Sequence, residues 1–156
     1  MDRNELERII REKLQEIMGA EKDDTFMVEA SGRHVHLTKE HVEALFGEGY
    51  ELTPVKDLSQ PGQFAAKERV RVIGPKGEFS NVAILGPCRN FSQVELSLTD
   101  CREIGVKGVI RESGKIEGTP GILIGVGDKY VHLDKGVIVA KRHIHMTRED
   151  AERFSV

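Results

Sequence analysis

Two histidine pairs carry most of the chemistry this sequence can offer. Arg33-His34-Val35-His36 and Arg142-His143-Ile144-His145 each set two imidazoles one residue apart. On an extended strand side chains alternate, so both rings of a pair face the same side. Neutral imidazole is a common zinc ligand, and a catalytic zinc takes about three protein ligands plus an open position. Two pairs supply four nitrogens, enough for two sites if each finds a further ligand. A lone His-x-His is weak evidence of metal, because strand alternation alone produces it. The repetition strengthens it. Gly32 to Glu40 is matched by Lys141 to Glu149, keeping the arginine, both histidines, the β-branched residue between them, the threonine and a basic–acidic pair.

A third segment, Gly86-Pro87-Cys88-Arg89-Asn90-Phe91-Ser92-Gln93-Val94-Glu95, adds complementary groups. Gly-Pro makes a loop after a strand, and Arg89 in that loop offers a fork of donors suited to phosphate or carboxylate. Glu95, on the strand that follows, is the carboxylate that could complete one metal site. Taken alone, either residue reads more plainly as half of a surface ion pair. Cys88 beside Arg89 is a conceivable nucleophile or simply packs, and nothing in the sequence requires a covalent intermediate. His41 and His132 belong to no pattern and read as structural or surface residues.

The elements that must position these groups are short. Leu6, Ile9, Ile10, Leu14, Ile17 and Met18 recur at helical spacing, so residues 1–20 read as an amphipathic helix. That helix suits packing on its own domain, packing on a dimer mate, or docking on a partner as a detachable peptide. Phe26–Ala30 reads as a strand leading into the first pair. Thr38 then caps a short helix with Val42, Leu45 and Phe46 on its apolar face, ended by Gly47; His41 stands where a capping box would carry Glu. Residues 68–73 alternate and stop at Gly74-Pro75-Lys76-Gly77, a hairpin signal. Strands are expected at Phe79–Leu85, Gln93–Leu98, Val106–Arg111, Gly121–Gly125, Tyr130–Leu133 and Gly136–Ala140. This pattern predicts a mainly β fold with short helices: two related small β-barrel lobes, the second incomplete because its motif runs straight into Val156.

Composition narrows the function classes. The chain has 156 residues, 38% hydrophobic and 31% charged, which is a globular composition with room for its own core. No apolar run approaches the roughly 20 residues of a membrane span, and the charged N-terminus reads as no secretory signal. A formal charge of −3 gives no footprint for nucleic acid. Two cysteines, Cys88 and Cys101, make no disulfide framework and fit a reducing compartment.

Ser31-Gly32-Arg33-His34-Val35-His36-Leu37, Gly86-Pro87-Cys88-Arg89 with Gln93-Val94-Glu95, and Arg142-His143-Ile144-His145-Met146 together resemble the PduL-type phosphate acyltransferases, also called phosphate propanoyltransferases. The likeness covers residues 25–156. It implies two β-barrels with short helices and transfer of a short acyl group, propanoyl or acetyl, between coenzyme A and inorganic phosphate. It implies two zinc ions at the lobe interface, one on His34, His36 and Glu95, the other on His143 and His145, with Arg89 as the catalytic arginine. The family's second zinc takes a further histidine from a C-terminal segment that does not precede Val156, so this site reads as incomplete. The resemblance further implies a cytoplasmic homo-oligomer, or one inside a bacterial microcompartment whose shell or core proteins take the N-terminal helix as an encapsulation peptide. Two other readings fit the same residues: a zinc hydrolase that activates water, and an inactive module that binds coenzyme A or a partner.

Overall fold

The computed structural model describes residues 31–156, together with Glu5 and Ile9, which are helical. The helix expected over 1–20 and the strand expected at 26–30 otherwise lie outside the described residues. Nine strands and three helices are present among those described. They are β1 (His34–His36), α1 (Lys39–Phe46), β2 (Pro54–Asp57), β3 (Phe64–Ile73), β4 (Glu78–Gly86), β5 (Gln93–Glu95), α2 (Leu98–Ile104), β6 (Ile110–Arg111), β7 (Ile122–Val126), β8 (Lys129–Leu133), β9 (Val137–Ala140) and α3 (Arg148–Phe154).

The strands join in one hydrogen-bonded path, β6-β9-β5-β1-β4-β3-β7-β8, with β2 added beside β3. Pairing is mixed. β1 runs parallel to β4 and antiparallel to β5, while β3–β4 and β7–β8 are hairpins. β1 sits inside the path, so all three of its residues are buried. The sheet curls into a half-barrel, because α1, tied to β1 by two residues, packs on the distant strand β8. Val35, Leu37, Val42, Leu45, Ile84, Val94 and Ile124 fill the concave side, each 2% exposed or less. Burying a side chain of this kind contributes about 1.5–3 kcal/mol, which sets the scale of what holds β1 in place.

Local chemistry explains the boundaries. In β3 the alternation drives Ala66, Glu68, Val70 and Val72 inward. Glu68 tolerates this because Tyr50 Oη donates to it at 2.9 Å and the Thr53 amide at 3.0 Å. The hairpin at residues 74–77 closes with the Gly74 amide donating to the Gly77 carbonyl at 2.9 Å. A side chain at Gly74 would strike the Ile104 carbonyl, so only glycine lets this turn lie on α2.

Three expectations need correction. The strand read over Gln93–Leu98 ends at Glu95, because Ser97 opens a helix instead. Ser97 accepts from the Asp100 amide, and Asp100 accepts from the Ser97 amide, a complete capping box; Gly105 ends the helix in the left-handed conformation. The strand read over Val106–Arg111 is confined to Ile110–Arg111. The second motif is not strand: residues 141–147 are irregular and lead into α3. All nine strands therefore precede it. No helix among the described residues is long and apolar enough to cross a membrane.

Candidate metal and anion site

β1 builds the first half of the site. Its two neighbours hold it flat, with His34 opposite Glu95 on β5 and opposite Ala83 on β4. His34 and His36 then face one side, their ring centroids 5.1 Å apart and nearly perpendicular. Both are buried, at 7% and 2% exposure. His34 Nδ1 lies 2.9 Å from the Gly32 carbonyl and His36 Nδ1 3.1 Å from the Leu85 carbonyl. A carbonyl oxygen only accepts, so each Nδ1 carries the proton and donates, and each Nε2 presents a lone pair.

Glu95 meets those lone pairs. Its Oε2 stands 3.6 Å from His34 Nε2, and one ligand atom from each of His34, His36 and Glu95 lies within 4.8 Å of the others. Two electron-pair donors facing each other across a buried gap need a cation between them, either a proton on His34 or a metal ion. In a tetrahedral zinc site ligand atoms stand about 3.4 Å apart, so the His34–Glu95 separation fits one. Burial holds His36 down to a pKa of about 4, reinforced by the positive charge of Arg89 and by His34. It is therefore neutral and ready to ligate at neutral pH. Burial pushes the Glu95 carboxyl up, but hydrogen bonding and attraction to His34, with the Ser113 hydroxyl, overcome it and bring it to about 2.

The other Glu95 oxygen is taken by the protein. Gln93 Nε2 donates to Oε1 at 2.7 Å and Ser113 Oγ at 3.0 Å. Gln93 is fully buried, and its own oxygen accepts from the Gly114 amide at 2.8 Å. Oε2 alone is left for His34. Arg89 Nη1 reaches Ser113 Oγ at 3.5 Å, which brings the guanidinium to the rim of the cluster. It has no carboxylate ion pair among the described contacts. Burial lowers its pKa, and the Glu95 carboxylate is near enough to act on it in the opposite sense.

The second pair repeats the local geometry without the enclosure. The His143 and His145 rings lie 4.5 Å apart, again nearly perpendicular, and His143 Nδ1 faces the Lys141 carbonyl at 2.5 Å, two residues back, as His34 faces Gly32. Both rings are exposed. They bond each other, Nε2 to Nε2 at 2.9 Å, and Gln60 Nε2 meets His145 Nδ1 at 2.9 Å. With Gln60 donating, His145 carries its proton on Nε2 and gives it to His143. The pair, with Glu112, Ser113, Lys141 and Arg142, lines an open cleft of about 340 Å³. Partial desolvation by the cleft lowers the His145 pKa, and Glu95 and Arg89 are near enough to act on it, so the cleft borders the first cluster.

The structure thus brings His34, His36, Glu95 and Arg89 together and sets His143 and His145 at the edge of that group. Arg33 does not join it. Its guanidinium pairs with Asp100 at 2.9 Å and lies over the Phe79 ring, tying β1 to α2. Cys88 is an exposed residue beside Arg89 whose thiol pKa is raised by partial desolvation, which does not favour a thiolate. Sequence reading missed Gln93, Ser113 and Gln60. Gln93 alternates with Glu95 on one strand, a signal that was available; Ser113 and Gln60 arrive from distant loops and leave none.

A family profile described as phosphate propanoyltransferase matches residues 27–156. A protein of Leptotrichia buccalis named phosphate propanoyltransferase is 92% identical over 156 residues, all of this chain and 74% of its own. Proteins of the same name from Sebaldella termitidis and Clostridioides difficile are 74% and 57% identical, over 100% and 97% of this chain and 74% and 73% of theirs. The chain belongs to the phosphate propanoyltransferases, a family of acyltransferase enzymes.

Proposed function

We propose that this chain moves a short acyl group, propanoyl or acetyl, between coenzyme A and inorganic phosphate. A zinc ion would be held by His34, His36 and Glu95. The observation that carries the proposal is the buried His34–His36–Glu95 cluster with the Arg89 guanidinium at its rim. A second zinc would sit on His143 and His145, which supply only part of a ligand set; this site is empty, filled by water, or completed by a neighbouring chain. Acyl-coenzyme A and phosphate are the substrates. The second lobe and a homo-oligomer belong to the same reading, as does docking of the N-terminal helix on shell or core proteins of a microcompartment.

When bound, the metal supplies Lewis-acid polarisation of an oxygen and a positive charge near the reacting carbonyl. The chain's own residues do the rest. Arg89 binds phosphate through two N–H groups and keeps an oxygen aimed at the thioester carbon. As that oxygen adds, negative charge gathers on the former carbonyl oxygen, where a donor fixed beforehand lowers the barrier more than one recruited later; collapse of the adduct then breaks the carbon–sulfur bond, releasing coenzyme A as its thiolate and leaving acyl phosphate. His36 stays neutral beside Arg89 and adds no competing positive charge or proton. Glu95 is fixed through Oε1 by Gln93 and Ser113, which leaves Oε2 turned toward His34.

Thiol release from propanoyl- and acetyl-coenzyme A, with and without phosphate, tests this on zinc-loaded protein. Release that requires phosphate and yields acyl phosphate is the expected result. Release without phosphate would replace it with a hydrolase, and absence of release with a binding module. Arg89→Ala should lower phosphate-dependent turnover by on the order of 10²–10³ with zinc still bound. Full activity in that variant would remove Arg89 from the mechanism.

A further inference from the structure

The loop that carries Arg89 is fastened to α1 by an unusual cap. α1 begins at Thr38, whose hydroxyl accepts from the His41 amide. In an ordinary capping box the residue three positions into the helix returns the favour, its carboxylate accepting from the cap residue's amide. α2 does this with Asp100. In α3 the equivalent residue is Asp150, whose carboxylate accepts from the Thr147 hydroxyl at 2.8 Å. In α1 the residue is His41, and the Thr38 amide donates instead to Ser92 Oγ at 3.0 Å. His41 Nδ1 meets the same oxygen at 2.6 Å. The Ser92 hydroxyl has thus entered the capping box of a helix 54 residues away in sequence.

Ser92 closes the loop that follows Gly86, and Arg89 lies inside that loop. The loop has a second tie: the Arg89 amide donates to the Leu37 carbonyl at 2.9 Å. Both ties land on Leu37 and Thr38, immediately after His36. Ser92 is 6% exposed, and the turn before β9 presses on it from the far side. A side chain at Gly136 would meet the Ser92 carbonyl at 2.7 Å, and Gly136 itself holds φ +127°, so glycine is required there twice over. A hydroxyl offers one proton and two lone pairs. Here one lone pair takes the Thr38 amide, and the contact with His41 fixes the hydroxyl rotor. The arrangement sets the guanidinium-bearing loop in register with the His-x-His strand.

We propose that Ser92 and His41 are positioning residues that hold Arg89 at the metal cluster through this shared cap. The proposal rests on the acyltransferase reading only for its activity readout. A phosphate site assembled from two separate chain segments depends on such a brace, since a displacement of about 1 Å at a reacting group can cost on the order of 10²-fold in rate.

Three variants of the full chain separate positioning from mere stability: Ser92→Ala, His41→Ala and His41→Glu. The last gives α1 an ordinary capping-box acid, as in α2, and so preserves the helix while releasing Ser92. Amide hydrogen exchange at Arg89, which needs no substrate, should quicken about tenfold or more in all three as the loop opens locally. In zinc-loaded protein the KM for phosphate should rise about tenfold, with the KM for acyl-coenzyme A and the zinc content unchanged. Ser92→Ala combined with His41→Glu should be no worse than either alone, because both act through one contact. Unchanged exchange at Arg89 would overturn the proposal. An unchanged phosphate KM, or equal losses for both substrates, would overturn the positioning role. If the unaltered protein releases thiol without phosphate, the acyltransferase reading fails by itself, and the exchange measurement alone decides whether the brace exists.

Discussion

The two His-x-His copies share a local design and differ in everything the sheet supplies. In both, the first histidine donates Nδ1–H to the carbonyl two residues back, the rings cross nearly at right angles, and a threonine caps the helix that follows. The first copy is threaded between β4 and β5, buried, and faced by a carboxylate. The second has no strand partner among the described residues, and its rings are exposed and bonded to each other. Sequence therefore sets the geometry of a pair, while the sheet sets its electrostatics. Only the buried copy has its histidine pKa driven down to about 4, and only it faces a carboxylate held near 2.

The largest test of that difference is metal retention. On the proposed reading, zinc-loaded protein retains metal at the buried cluster, and His36→Ala should remove it and with it phosphate-dependent turnover, measured as zinc per chain after exhaustive dialysis. His145→Ala should leave that zinc in place, because its pair lacks the buried carboxylate. Equal zinc loss in both variants would break the comparison.

Acid stability comes next. In zinc-free protein the His36 pKa is about 4 against 6.5 for an unperturbed imidazole. Between those values the unfolded chain binds the extra proton. The contribution is therefore complete above pH 6.5 and lost as pH falls toward 4, amounting to about 3 kcal/mol. Denaturant titrations from pH 7.5 to 4 should show this slope, flattened most in His36→Gln and less in His145→Gln, whose pKa is lowered in the same direction. Glu95 extends the loss below pH 4.5, again because its folded pKa is lowered.

The two arginines of the repeat sharpen the contrast on a smaller scale. Arg33→Ala loses the Asp100 ion pair and the contact with Phe79 and should cost about 1 kcal/mol or less, since the Arg33 side chain is 43% exposed. Arg142→Ala, on the open cleft, should leave the thermal midpoint unchanged. The smallest effect is expected at Cys88. Cys88→Ala should keep turnover within about twofold, and a loss of several orders of magnitude would establish a covalent step.

Much of the site was legible because its signals are local. His-x-His on a strand, Thr38 before a short helix, and the turn at residues 74–77 each follow from side chains a few positions apart. The Gln93–Leu98 strand was misread because an alternating apolar pattern overlaps the Ser97–Asp100 capping box, and tertiary packing of Cys101 and Ile104 decides for the helix. The second motif, read like the first as a pair on an extended strand, differs in the fold. It follows β9 but is itself irregular, since an extended segment becomes a strand only with a neighbour to bond. Ser113, Gln60 and the Ser92–His41 contact join residues 18 to 85 positions apart, a link that only the curl of the sheet creates.

Anomalous scattering at the zinc edge, from crystals of the zinc-loaded chain, would locate the metal. The strongest peak is expected among His34 Nε2, His36 and Glu95 Oε2, with the Arg89 guanidinium alongside. A peak only between His143 and His145, or none at the buried cluster, would contradict the proposed site.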